Sequence, residues 1–515
     1  MIFILKNHRY LYILILLFFS FFVNFYYSSL GAFPIDSFLH YDSAYRILKG
    51  DLPIKDFWIV SGLTVDFIQS ILFKLFGTSW NIYILHSSLF NSFLTIFLFL
   101  FFIDFKVNEF KSFTYCLSFA VLAYTISGTP FVDLHATFFF TSAIILILYN
   151  LKYQKRYIWF IVVILFYLSF LSKQVPAAYG IIIFSFILLF YLLKIKKFDH
   201  IYFIFFSSLL LLFLTLLTLY LSGIELKNFF LQYFKYPISI GDSRLDYFNK
   251  SLNTIFNQYK FIFFSLVIYC LVKYKSTHLK SHFFFTEIFL VIGLSLILIL
   301  HQEFTKNQIY IYFILPVIFG LIEIEVEKLT FKFKSHLSIL MLTILILLTF
   351  KYHHRYNENR KFHELSKIDL NNTIDASQID KSLSGLKWIN PIFNGTPKEE
   401  ILILKQSIKK LNEVNENIML VSNYLFLDSV TLINLNNPNR AFTADGTNTP
   451  LKKNKYFKNY KSFFLKKLRN KKITKIYFFK IENLKRNIIL SYLDRNCYDY
   501  LESEIFYIYN LRCFY

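Results

Sequence analysis

Eleven apolar stretches fill most of the first 351 residues, near 10–28, 82–103, 112–127, 135–150, 157–172, 177–193, 200–222, 261–272, 283–301, 308–323 and 337–351. About 20 helical residues cross a hydrocarbon core, and a bilayer accepts backbone only as helices or closed barrels. These runs are continuously apolar and lack the alternation of a membrane barrel. They predict an α-helical polytopic membrane protein with about 11 transmembrane helices, several of them short and with soft boundaries. With 56% hydrophobic residues, 66 Phe and 37 Tyr, the chain is too apolar for a soluble globule.

A formal net charge of +22 can signal a nucleic-acid partner, but here the basic residues lie between apolar runs and in a lysine-rich C-terminal part. Topology accounts for the first group and a solvated surface for the second, so no nucleic acid is expected. Alternate connections carry Lys6 and Arg9, Lys106 and Lys111, Lys152, Lys155 and Arg156, Lys194, Lys196 and Lys197, Lys273, Lys275 and Lys280, and Lys328, Lys332 and Lys334. The short connections on the other side hold only Lys173 and Lys306. The positive-inside rule then puts the N-terminus in the cytoplasm of a multi-pass inner (plasma) membrane protein. Eleven crossings place the loop 29–80, the connection 223–260 and everything after 352 outside. The first run also fits a secretory signal with "SSLGA" as a small-residue site, but its length and the ten runs after it favour an anchor.

This divides the chain into a transmembrane domain, 1–351, with its outer loop 29–80, and an extracytoplasmic α/β domain, 352–515. In the tail, "NGTPKEEILILKQSIKKLNE" reads as a helix start, with Thr396 as N-cap, Pro397 at the first position and Glu399 and Glu400 in the first turn. "NIMLVSNYLFL" and "KITKIYFFKI" read as buried strands. Cys497 and Cys513 are available to each other, as a disulfide or as two thiols; Cys116 and Cys270 lie inside apolar runs and read as packing residues. The sequence has no P-loop, GxGxxG, HExxH, CxxC or Asp-x-Asp, so a soluble-type enzyme using a nucleotide sugar is not expected. It has no internal repeat of the kind that marks a two-half transporter.

The first outer loop, "IDSFLHYDSAYRILKGDLPIKDFW", carries four aspartates directly after an apolar run. From Asp36 the spacing runs to Ala44, Gly50, Pro53 and Asp56, and then to the amphipathic "FIQSILFKLFG". This segment resembles the first outer loop of the polytopic glycosyltransferases of the GT-C fold, the class of the protein mannosyltransferases and aminoarabinose transferases. "GTPFVDLHATFFF", "FLSKQVPAA" and "NQIYIYFILPVIFGLI" resemble later segments of the same class. Two positions depart from it: Ser37 stands where many relatives have a second acid, and Ile54 where an aromatic is usual.

The resemblance implies a membrane glycosyltransferase that moves a hexosyl or pentosyl group from a polyprenyl-phosphate carrier to a hydroxyl of an envelope glycan, lipid or protein. A single carboxylate, Asp36, would act as general base while the lipid phosphate leaves. Asp133, at the outer end of a span, would orient the acceptor, bind a divalent ion or serve as the base instead. Lys173 and Lys306 are the candidate cations for the donor phosphate. His40, four residues from Asp36 on a helix, Asp42 and Asp56 are secondary candidates; Asp51, Asp56 and Asp66 also read as loop caps and solvated charges, and Asp36 as an N-cap. His301 and Glu303 share a polar outer connection with Lys306, and His135 reads as structural. No cofactor beyond that divalent ion is implied. Two other functions fit the architecture, a surface-glycan ligase or polymerase and a non-enzymatic transporter or flippase. The connection 223–260 has Arg244 but no histidine, against the first. The clearest charges lie at span ends, against the second, with Glu287 the mid-span exception.

Overall fold

The structure, a computed structural model of the chain, describes residues 8–246, 250–276, 282–305, 309–330, 332–482, 484 and 486–513. In chain order the helices are α1 (His8–Ser28), α2 (Pro34–Leu48), α3 (Leu63–Phe76), α4 (Trp80–Asp104), α5 (Glu109–Leu122), α6 (Val132–Tyr153), α7 (Arg156–Ser172), α8 (Gln174–Lys194), α9 (Phe198–Leu221), α10 (Leu226–Phe230), α11 (Tyr236–Asp246), α12 (Leu252–Ser276), α13 (His282–Phe304), α14 (Ile314–Glu327), α15 (Lys334–Tyr352), α16 (Pro397–Asn412), α17 (Leu427–Val430), α18 (Phe457–Asn470) and α19 (Arg486–Leu490). The strands are β1 (Ile374–Asp375), β2 (Lys387–Trp388), β3 (Ile418–Val421), β4 (Lys475–Phe479), β5 (Tyr498–Glu502) and β6 (Phe506–Leu511).

Each of the eleven apolar stretches contains a helix among the described residues, and eight of these helices are long and apolar enough to cross a membrane: α1, α4, α6, α8, α9, α12, α13 and α15. The other three stretches form α5, α7 and α14, of 14, 17 and 14 residues. At 1.5 Å per residue these reach about 21 to 26 Å, less than a hydrocarbon core of about 30 Å. The short run at 261–272 belongs to a 25-residue helix, α12, whose first turns carry Asn253, Thr254, Asn257 and Gln258.

The chain forms two compact units. The first, Met1–Ser28, Ile84–Thr215 and Phe248–Phe362, contains most of every long helix. Its centre is α14, buried on all sides from Ile314 to Val326 and packed against α12, α5 and α15; α6 is almost equally buried. By contrast α9 exposes Leu210, Leu212 and Phe213, an apolar surface that water would not tolerate over such a length. Aromatic rings and glycines close the packing. A Cβ on Gly320 of α14 would overlap the Phe102 ring of α4, and Gly180 and Gly293 receive Phe140 and Phe184 in the same way. In lipid, such close approach replaces the missing hydrophobic drive. The turn before α6 is tied by Gly128, at φ +74°. Its carbonyl accepts from Asn24 Nδ2 at 3.1 Å, from Ser28 Oγ at 2.7 Å and from Ser87 Oγ.

The second unit comprises Ser29–Tyr83, Leu216–Tyr247 and His363–Tyr515. Its main sheet has the order β3-β4-β6-β5, with β3 and β4 parallel and the other pairs antiparallel. The aspartate-rich segment is built into this unit's core. Trp58 packs edge-on to Tyr460 and Tyr236, and Phe38 lies against Trp80, Trp388 and Phe426. Gln232 of the 223–260 connection accepts from Ile59 N at 3.1 Å and donates to Ile54 O at 2.9 Å. The expected start of α16 is present as a capping box between Thr396 and Glu399. "NIMLVSNYLFL" is strand only to Val421; there the chain turns, with Asn423 N donating to Glu482 Oε1 at 2.6 Å, and ends in α17. Cys497 and Cys513 are bonded, and Cys116 and Cys270 are free thiols.

Candidate functional site

Within the helical unit, three side chains from separate helix ends meet. Asp133 lies in the first turn of α6, after the extended Phe131, where the helix dipole favours an anion. Lys173 is the extended residue that joins α7 to α8, and His301 lies in the last turn of α13. Lys173 Nζ stands 2.5 Å from Asp133 Oδ1, and His301 Nε2 stands 3.3 Å from the same oxygen. The Asp133 and His301 side chains are sealed, at 1% and 0% exposure, while Lys173 keeps 22%. A carboxylate so held fixes the ammonium in place while leaving it a path outward. This is the arrangement a cation needs to meet an anionic group without reorganising.

Next to it, Glu303 accepts from Lys250 Nζ and from Tyr259 OH, both at 2.5 Å. His135, two residues after Asp133, is part of a buried chain: Tyr124 OH lies 2.5 Å from its Nδ1, and His86 Nε2 lies 3.0 Å from its Nε2. Lys306 lies outside the described residues. At the other ends of the helices, Glu323 and Glu327 hold Lys111 at 2.6 and 2.9 Å, and Lys273 pairs with Glu325 and Glu287. Glu287, read as a mid-span charge, sits in the second turn of α13 and is neutralised by Lys273 at the end of α12.

The sheet unit holds the remaining sequence candidates. Asp36 is the third residue of α2 and partly exposed; the N-cap is Phe33, which corrects the capping role considered for Asp36. His40 is fully buried and its Nδ1 lies 2.6 Å from Asp66 Oδ1, while Arg440 engages the other oxygen of Asp66. Asp66 is therefore neither the loop cap nor the solvated charge expected of it; it is 0% exposed and joins α2, α3 and the segment before Ala441. Asp51 pairs with Arg46 at 3.4 Å and Lys471 at 2.7 Å. Burial would raise its carboxyl, but these two cations outweigh it and hold it below the usual range. Asp56 accepts from Leu52 N at 2.9 Å, closing its loop as expected, and pairs with Lys467 at 3.2 Å.

Asp42 is 5% exposed. Burial, and then the carboxylate of Asp428, push its carboxyl well above the usual range against the pull of Arg46 and Arg440. Sequence reasoning did not find Arg440, Asp428, Glu400 or Glu482. Glu400, at the first turn of α16, is buried and accepts from Trp388 Nε1, Asn390 Nδ2 and Tyr424 OH at 2.6 to 2.8 Å. Only Glu400 carried a local signal, its place after a capping residue; Arg440 meets Asp66 374 positions away, and Glu482 meets Asn423 59 positions away. Among the described residues, no three His, Cys, Asp or Glu side chains converge as a metal-ligand set. No known protein family and no curated protein matches the chain.

Proposed function

We propose that the protein is a membrane glycosyltransferase of the GT-C type, which transfers a sugar from a polyprenyl-phosphate carrier to an acceptor hydroxyl on the extracytoplasmic side. The N-terminus is cytoplasmic in this reading. The observation that carries it is the convergence of Lys173 and His301 on buried Asp133 at the ends of apolar helices. Lys173 and Asp133 are two of the residues singled out by the resemblance, and they are 40 positions apart in sequence.

In this mechanism Asp36 takes the proton of the acceptor hydroxyl and the oxygen attacks the anomeric carbon. The bond from that carbon to the phosphate oxygen breaks, and the phosphate leaves with the electron pair. Lys173, aligned by Asp133, meets the charge that grows on the phosphate. The first-turn position of Asp36 suits an ionised base, because the N-terminal end of α2 stabilises its anion. The pairing of Glu287 with Lys273 weakens the transporter alternative, since it leaves no isolated charge at that position of the bundle.

The test is transfer of labelled sugar from a panel of polyprenyl-phosphate sugars by membranes holding matched amounts of wild type, Asp36→Asn or Lys173→Met. Wild-type transfer is expected, with a fall of at least 10²-fold in each variant, the size seen when a general base or a charge-stabilising group is removed. Full activity in Asp36→Asn would remove it as the base. No transfer from any donor, with several acceptor extracts supplied, would reject the reading.

A further inference from the structure

The connection that follows α9 carries an apolar surface that the proposed reaction does not use. From Leu226 to Asp246 it is one continuous helix: α10, a π turn over Leu231–Lys235, then α11. The π turn has a local cause. Pro237 offers no N–H to the turn before it, and Tyr236 N donates to Leu231 O, the i→i+5 bond that widens that turn.

One face of this helix is built into the sheet unit. Leu231 and Tyr236 join the core around Trp58, and Tyr236 OH donates to Gly446 O. Phe229 and Tyr233 are buried and stacked, with ring centroids 5.6 Å apart. The other face carries Leu226, Phe230, Phe234 and Ile238, each four residues after the last. In a plain α-helix every such step drifts around the axis by about 40°. The wider π turn takes part of that drift back and keeps the four on one line, which Asp242 ends. Leu226, Phe230 and Ile238 are 44 to 61% exposed. Large apolar side chains in an exposed row mark a surface that a partner covers.

Two observations identify that partner as lipid. The last turns of α9, from Leu216, belong to this same unit and end a membrane-length helix whose Tyr220 and Leu221 are exposed. Only Ser222 to Glu225 separate them from the stripe, a link that reaches at most about 18 Å. Lys55 Nζ holds it through Ser222 O at 2.9 Å. The stripe therefore begins close to where α9 leaves the hydrocarbon. The second observation is charge. Lys227 and Lys235 flank the stripe, are exposed, and form no ion pair or hydrogen bond among the described residues, whereas Glu225 is matched by Lys466 at 3.8 Å. An apolar stripe edged by such lysines is the pattern of a helix that lies in the plane of a membrane surface, with its ammonium groups among anionic headgroups.

We propose that this helix is an interfacial seat: Leu226, Phe230, Phe234 and Ile238 enter the leaflet at which α9 ends, and Lys227 and Lys235 meet the phosphates of anionic phospholipids. The seat bears on the aspartate-rich loop, because Gln232 on the buried face bonds Ile54 O and Ile59 N and so ties that loop to the height of the headgroups. It does not depend on the transferase reading.

The experiment uses the full chain with Cys116→Ser and Cys270→Ser, in nanodiscs of phosphatidylcholine and phosphatidylglycerol. The polarity-sensitive fluorophore NBD is attached at Phe230→Cys, at Ile238→Cys or, as a reference at an exposed leucine off the stripe, at Leu432→Cys, in variants whose Tm matches the parent chain. The bonded Cys497 and Cys513 do not react. At both stripe positions the emission is expected to shift to the blue. Lipid nitroxides should quench it at least about twofold more than at the reference, most strongly when the nitroxide sits near the glycerol end of the acyl chain. Phosphatidylglycerol should deepen that quenching relative to phosphatidylcholine alone, and Lys227→Gln/Lys235→Gln should abolish the gain. Water-like emission at both stripe positions would overturn the proposal. So would a blue shift that lipid nitroxides leave unquenched, the mark of cover by protein, or strongest quenching from the chain end, the mark of a helix that spans. A phosphatidylglycerol gain that survives in the lysine variant would overturn the headgroup contact.

Discussion

At the scale of residues, the Asp133 cluster makes a claim about stability that can be checked without any substrate. Asp133→Asn keeps the shape of the side chain and leaves Lys173 and His301 facing an uncharged partner. Breaking a buried pair costs about 3 kcal/mol at the low end of the usual range, and the low end applies because Lys173 keeps a path to water. Thermal unfolding in detergent should show the drop, and Asp133→Asn/Lys173→Met should recover part of it, a coupling that two independent sites would not show. A second residue-scale prediction concerns pH. Burial, and to a smaller degree the charge of Glu400, push the Glu482 carboxyl up to about 8, even though Asn423 N–H and Ser422 donate to it. The folded chain therefore binds more protons at Glu482 than the unfolded chain between about pH 4.5 and 8, so its contribution to stability is present at low pH and lost as pH rises through that window. Burial raises Glu400 as well, in the same direction. The Tm of the sheet unit should fall across this range, and Glu482→Gln should flatten the fall; an unchanged slope would assign it to other groups.

At the scale of elements, the contrast between α14 and α9 shows which features local sequence can carry. Both are strongly apolar, yet α14 is buried on every side and α9 is largely exposed. Composition marked both as membrane-length or nearly so, but could not say which one the bundle surrounds, because burial depends on neighbours. The capping box of α16 was legible because its hydrogen bonds span three residues. The His40–Asp66–Arg440 network was not, because Asp66 and Arg440 are 374 positions apart. Asp133 and Lys173 were legible one by one as charges at span ends, whereas their pairing was not. The bundle's ring-and-glycine contacts give the prediction at this scale. Gly320→Ala forces a methyl into the Phe102 ring, and overpacking of a filled core costs about 1 to 3 kcal/mol. Phe102→Leu in the same chain should restore much of the lost Tm. If Gly320→Ala proves neutral on its own, the two helices are less tightly apposed than their packing implies.

For the whole molecule, the decisive quantity is the parity of membrane crossings. Eight crossings by the long helices alone would return the chain to the side on which it began. If α5, α7 and α14 cross as well, eleven crossings put the tail on the opposite side. The distribution of lysine and arginine favours the odd number, since the basic connections alternate with nearly neutral ones only when all eleven stretches cross. Helices of 14 residues can still serve as crossings where the neighbouring bundle supplies the rest of the thickness, and α14 is wholly enclosed by protein. In a chain with Cys116→Ser and Cys270→Ser, Lys405→Cys on exposed α16 should react with a membrane-impermeant maleimide in intact cells, whereas Lys197→Cys, before α9, should react only after lysis. Trapping of native thiols should find Cys497 and Cys513 bonded, as an oxidising compartment allows and a reducing cytoplasm does not. Labelling of both positions from the same side would establish an even number of crossings between Lys197 and Lys405 and overturn the eleven-crossing topology.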